Sequence, residues 1–208
     1  MGKLYDSIDA RLGTFITGQP VFFVATAPSG GAGHVNCSPK GNRNSLVVLG
    51  PTEVAYQDLT GSGVETIAHL RDNGRIVIML CTFEGPPRIV RLHGRGEVVT
   101  PGHQRYDELA ASFPRKPGTR AVIRIDVERI SDSCGYGVPL MTLQGHRDNL
   151  DHWAETKGPA GIEAYQTEKN AESIDGLPGL AGVALIHQRA EAPAVQRQSL
   201  KTGARFSK

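Results

Sequence analysis

Between residues 21 and 130 the chain is cut into short apolar, β-rich runs by clusters of glycine and proline, and this punctuation constrains its fold more than any other feature. Runs at 21–27, 34–38, 46–49, 54–58, 76–82, 89–99 and 121–130 read as strands, bounded by the turn clusters PSGGAG, PKGNRN, Gly50-Pro51, LTGSG and EGPP. Little helical pattern lies between them. Six or seven short strands in this arrangement predict a closed antiparallel barrel, mainly β with flanking helices.

The helical signals are few. Leu4, Ile8, Leu12, Phe15 and Ile16 recur at helical spacing until Gly18 and Pro20 stop them, which predicts a helix over 3–17. Ile67, Ala68 and Leu70 share one face of a second helix that Asn73-Gly74 ends, and Ser62 with Glu65 three places later forms a capping-box pattern at its start. Further helices are expected at 104–112 and, beyond the run SDSCGYGVPLM, at 146–157 and 162–170. From Ser173 onward the Gly, Pro, Ala and Gln content has no sustained periodicity, so the organisation expected is one domain over 1–172 and a flexible tail over 173–208.

A chain of 208 residues suits a single core, and 39% hydrophobic with 21% charged residues is ordinary for a globular body. No apolar run approaches the ~20 residues of a membrane span, and the N-terminus lacks a basic stretch followed by an apolar core, so a cytoplasmic protein is expected. Cys37, Cys81 and Cys134 are widely separated, without disulfide-framework or zinc spacing. Residues 183–208 carry five Lys/Arg against one Glu, leaving 18 basic against 20 acidic residues before them. That body, with 6% aromatic residues, does not match nucleic acid.

Three segments can carry chemistry. In HVNCSPKG, Asn36 and Ser38 can offer hydrogen bonds while Lys40 reaches an anion and Gly41 lets backbone come close; an ordinary polar hairpin loop would read the same way. LTGSGVET places Ser62 at a helix start immediately after a strand, where free N–H groups and the helix dipole favour a phosphate. A plain cap without ligand fits the segment equally, and Glu65 in the first turn repels an anion unless it folds back. In RIVRLHGRG, Arg88 and Arg91 lie on opposite strand faces, and edge-strand solubility competes with ligand binding. His69 and His93 read as structural, no histidine pair has metal spacing, and no GxSxG elbow anchors a hydrolase triad.

Taken in order, VFFVATA, HVNCSPKG, EVAYQD, TGSGVETIAHLRDNGRIVIML and RIVRLHGRGEVV resemble the FMN-binding split β-barrel of the pyridoxamine 5′-phosphate oxidase family over about residues 20–130. The resemblance implies FMN as cofactor and places three elements around its phosphate and ribityl chain. Asn36, Ser38, Pro39, Lys40 and Gly41 form the first, Tyr56 and Asp58 the second, and Ser62, Gly63 and Thr66 the third. It further implies a homodimer with FMN at the subunit interface and an oxidoreductase acting on a small molecule. A flavin-binding protein without turnover is the rival, and related barrels use deazaflavin or haem. Gly-Val-Glu-Thr stands where true pyridoxamine phosphate oxidases have a basic Arg-Lys step, and their C-terminal arginine and histidine motif has no counterpart. Vitamin B6 oxidation is therefore not implied, and no catalytic residue is assigned. SCGYGVPLM and KNAESIDGLP mark an uncharacterised branch.

Overall fold

The computed structural model describes residues 2–41 and 44–180. In chain order the elements are β1 (Leu4–Tyr5), α1 (Ala10–Gly18), β2 (Phe22–Thr26), β3 (Asn36–Lys40), β4 (Leu46–Gly50), β5 (Glu53–Leu59), α2 (Glu65–Asn73), β6 (Arg75–Cys81), β7 (Ile89–Val99), α3 (Tyr106–Ala110), β8 (Thr119–Ser133) and α4 (Asn149–Lys169). All strand pairs are antiparallel, in the order β3-β2-β6-β7-β8-β5-β4, with β1 paired to β8.

The sheet curls around its own core. Strands β2 and β5 are separated by three others, yet the rings of Phe22 and Tyr56 meet edge to face at 5.6 Å. Long strands make this possible: β7 pairs with β8 over its whole length, with a register shift between His93 and Gly94 that bends them. Gly94 lies so close to the carbonyl of Asp126 that a Cβ there would collide with backbone. Val24, Ile78, Leu80, Leu92, Ile123 and Ile125 fill the interior and are fully buried. On the other face of the sheet Ala55, Val99 and Val122 pack with Leu109 of α3 and Phe113. Strand β5 is thus covered on both faces, which is why 54–58 is buried without alternation.

Several boundaries differ from those expected. The helix predicted over 3–17 begins at Ala10, because the Asp9 carboxylate caps it by accepting from the Leu12 N–H at 2.7 Å. Leu4 and Tyr5 are instead a strand on β8, where Lys3 N–H donates to Asp132 at 2.9 Å. Strand β3 is shifted to Asn36–Lys40, so Pro39 and Lys40 belong to it rather than to a loop; it is an edge strand, where proline costs no ladder bond. The capping box is overturned. The residue that caps α2 is Val64, which makes no side-chain cap bond, and Ser62 lies exposed two places before it. Gly74 does end α2 in the left-handed conformation, its N–H donating to Leu70 O at 3.0 Å.

The two helices expected at 146–157 and 162–170 are both present within α4, which is broken at Gly158 (φ 65°, ψ 172°) before Pro159 into two helical pieces. Residues 173–180, expected as the start of the tail, fold back on the body. Leu180 N–H donates to Asn170 O and Gly179 N–H to Ala171 O, both at 2.7 Å, and Leu180 packs on the core. The body therefore extends at least to Leu180, and the rest of the expected tail, 181–208, lies outside the described residues. Among the described residues no helix is long and apolar enough to cross a membrane, no group of His, Cys, Asp and Glu could hold a metal, and Cys37, Cys81 and Cys134 are unbridged.

Candidate functional site

A cavity of about 320 Å³ opens where the end of β3, the end of β5 and the start of α2 converge. Asn36, Ser38, Pro39, Lys40 and Gly41 line one side, and Ser62, Gly63 and Thr66 another. Eight of the ten residues read from the sequence thus meet in one place. Tyr56 and Asp58 do not line it. Successive residues of a strand face opposite ways, and on β5 it is Gln57 and Leu59 that reach the cavity while Tyr56 and Asp58 lie fully buried behind its wall.

Asp58 nevertheless organises that wall. Its carboxylate accepts from Lys40 Nζ at 3.0 Å and from Arg120 Nε at 2.7 Å. Burial pushes the Asp58 carboxyl up, but Lys40 and Arg120 outweigh it and hold the group below the ordinary carboxylate range. Lys40 was expected to reach an external anion; its first partner is this internal one. Its side chain keeps 24% exposure, whereas that of Arg120 keeps 5%. Burial, reinforced by the Asp58 charge, pushes the Tyr56 phenol well above its usual value, so it is neutral.

Arg120 escaped the sequence reading, and it ties three segments together. Besides Asp58, its Nη1 donates to Gly63 O at 2.8 Å and to Asn170 Oδ1 at 2.9 Å. Asn170 returns a bond to Gly61 O at 2.9 Å, and Gln166 of α4 donates to Thr60 Oγ1 at 2.8 Å. The loop 60–63 is therefore held from outside by the C-terminal end of α4. An arginine heading the apolar run AVI was the available signal, since a buried guanidinium demands a carboxylate.

Asn36 is the hub of the opposite wall. Its Nδ2 donates to Thr66 Oγ1 at 3.0 Å and Thr26 Oγ1 at 3.2 Å, while Ser38 Oγ donates to its Oδ1 at 2.9 Å. Thr26 also meets His69 Nδ1 at 3.0 Å, and burial lowers the His69 pKa despite the nearby carboxylates of Asp175, Glu65 and Asp72. Glu65 lines the cavity but folds back over Gly63, accepting from the Ile174 N–H at 3.4 Å. Arg88 and Arg91 serve elsewhere. Arg88 pairs with Asp132 and Tyr5, and Arg91 donates to Ser133 at 3.0 Å.

With no side-chain cap on α2, the N–H groups of its first turn are available at the Ser62–Thr66 edge, and the helix dipole makes that edge favourable for negative charge. Hydroxyls of Ser62 and Thr66 add neutral donors, while Ser38, whose proton goes to Asn36 Oδ1, offers an acceptor. The ionic groups nearly cancel, Lys40 and Arg120 against Asp58 and Glu65. Such a cavity suits a polar anion recognised by directed hydrogen bonds rather than by surplus charge.

Comparison with known proteins points to one family. A pyridoxamine 5′-phosphate oxidase family protein of Aspergillus flavus, ustO, is 42% identical over 196 residues, which span 86% of this chain and 78% of that one. Solved structures with a similar course include HupZ of Group A Streptococcus, at 27% identity with a TM-score of 0.45, covering 59% of this chain and 91% of that one. Another is an FMN-binding protein of Syntrophomonas wolfei, at 14% identity with a TM-score of 0.44, covering 62% and 85%. The family model described as pyridoxamine 5′-phosphate oxidase matches residues 8–134, the stretch that runs from the start of the core to the end of β8 and supplies both walls of the cavity. On that match and the identity to the A. flavus protein, this split β-barrel chain belongs to the pyridoxamine 5′-phosphate oxidase family.

Proposed function

We propose that the protein binds FMN, with the flavin phosphate against the first turn of α2 and the ribityl chain along β3, and that it works as an oxidoreductase on a small molecule. The observation that carries this reading is the uncapped α2 N-terminus opening into a cavity rimmed by Ser38, Lys40, Ser62 and Thr66. These groups fit a phosphate ester: N–H and O–H donors surround it, and Lys40, the more accessible of Asp58's two cations, is the one able to turn toward it. Asn36 orients Ser38 and Thr66, and Arg120 with Asn170 fixes the loop carbonyls of Gly61 and Gly63.

When bound, the flavin supplies electron and hydride transfer, and the chain's own residues bind, orient and shield it. A homodimer with two sites at the subunit interface accompanies this reading, in keeping with the prevalence of closed two-fold assemblies. A cytoplasmic location accords with the unbridged cysteines.

The test is the absorption spectrum of the purified full chain, with mass spectrometry of whatever heat releases. A yellow protein that releases FMN, or becomes yellow when FMN is added, is expected; a colourless protein that gains no flavin spectrum would overturn the proposal.

A further inference from the structure

The stretch CGYGVPLMTLQGHRD, residues 134–148, plays no part in the cavity described above, yet the structure gives it a defined course. It is neither helix nor strand, and every residue from Pro139 to Leu150 is exposed. Three bonds pin it across the body. Met141 N–H donates to Phe83 O at 3.0 Å, Leu143 N–H to Glu84 Oε1 at 3.3 Å, and His146 Nδ1 to Gly41 O at 2.9 Å.

Between this strap and the body lies a second cavity, of about 940 Å³. Val21, Phe83, Met141, Leu143 and Leu150 give it mostly apolar walls. The strap's apolar side chains remain open to solvent, Met141 at 55% and Leu143 at 51%, so an apolar occupant would remove surface that the chain leaves wet. The volume falls in the range of small-molecule sites. Gly41 and Leu150 line this cavity and the polar one alike, so whatever fills either abuts the other.

The charges select among apolar occupants. Glu84 is engaged by the Leu143 N–H and His146 Nδ1 by the Gly41 carbonyl, whereas Arg147 has no carboxylate within ion-pair distance among the described residues. We propose that the strap cavity is the binding site for a small organic molecule with an apolar body and one anionic group, the anion facing Arg147 and the body lying against Phe83, Met141 and Leu143. Its placement beside the flavin rests on the FMN reading above; the cavity itself does not.

The probe is 1-anilinonaphthalene-8-sulfonate, an aromatic body with a single sulfonate, titrated by fluorescence into the flavin-free full chain. Leu143→Ser and Arg147→Gln should each weaken probe binding by about tenfold or more, while Val35→Asp, at an exposed apolar position on the β2–β3 hairpin away from the strap, should not. FMN affinity, measured separately, should stay unchanged in both strap variants. Probe affinity kept at the parental value by either strap variant would overturn the proposal. So would loss of dimer in both variants with probe binding intact, since the strap would then be covered by a second copy of the chain. Binding of the probe with both dependences, but no FMN binding by the parent, would support this site while ending the flavin reading.

Discussion

The two walls of the polar cavity are held by opposite means. On the β5 side a fully buried carboxylate, Asp58, is clamped between Lys40 and Arg120, and Arg120 in turn fastens the loop at Gly63 and the end of α4. On the α2 side the helix begins without a side-chain cap, and the nearby Ser62 is exposed. The difference teaches which groups are spoken for. Asp58 and Arg120 on the first wall are part of the fold and Lys40 is shared between fold and ligand, whereas donors on the second wall are free to answer a ligand at little cost to stability.

The comparison is broken most directly at Arg120. Arg120→Ala leaves Asp58 with Lys40 alone and strands the carbonyl of Gly63, so a loss of about 3–5 kcal/mol in urea unfolding is expected. A loss under about 1 kcal/mol would mean that the clamp is dispensable. Lys40→Ala should cost the flavin-free protein less, about 1.5 kcal/mol, because Arg120 still holds Asp58. The same variant should also weaken FMN binding, and an unchanged melting curve of the flavin-free protein would show that Arg120 alone suffices to hold Asp58.

Acid sharpens the contrast through Asp58. Its folded pKa lies below the ordinary 3.8, so the unfolded chain takes up the proton first as pH falls. The stabilisation from this group is fully present above the unfolded value and is lost as pH drops through the folded one. A pH series of unfolding midpoints should therefore lose a step below about pH 4 in Asp58→Asn; an unaltered profile would show that the clamp does not depend on the charge. His69 has the same sign at higher pH, since its folded pKa lies below 6.5 and stability begins to fall as pH drops past that value. The smallest effect belongs to the second wall. Ser62→Ala should leave the flavin-free melting point unchanged and weaken FMN binding by about 0.5–1.5 kcal/mol; a destabilised flavin-free protein would restore the discarded cap.

Much of the fold is legible in the sequence because strands and turns here are local. Glycine and proline clusters bound nearly every strand, and Gly74 stops α2 as its Asn-Gly signal predicts. Errors arise where a distant partner decides. Leu4 fits a helical stripe, but pairing with Ser131 of β8 makes it a strand. Ser62 and Glu65 have capping-box spacing, yet Glu65 turns back over Gly63 and meets Ile174 from the far end of the chain. Tyr56 and Asp58 were read into the site, but alternation along β5 presents Gln57 and Leu59 instead. The Asp58–Arg120 contact spans 62 residues of sequence, and no local spacing announces it.

The central claim, that the α2 edge of the cavity receives a flavin phosphate, is tested most directly by titrating FMN and riboflavin in parallel into the flavin-free full chain. The two ligands differ only in the phosphate. FMN should bind tighter by about tenfold or more, since several directed hydrogen bonds to a charged group are gained with it. Equal affinity for the two, or preference for riboflavin, would contradict the account.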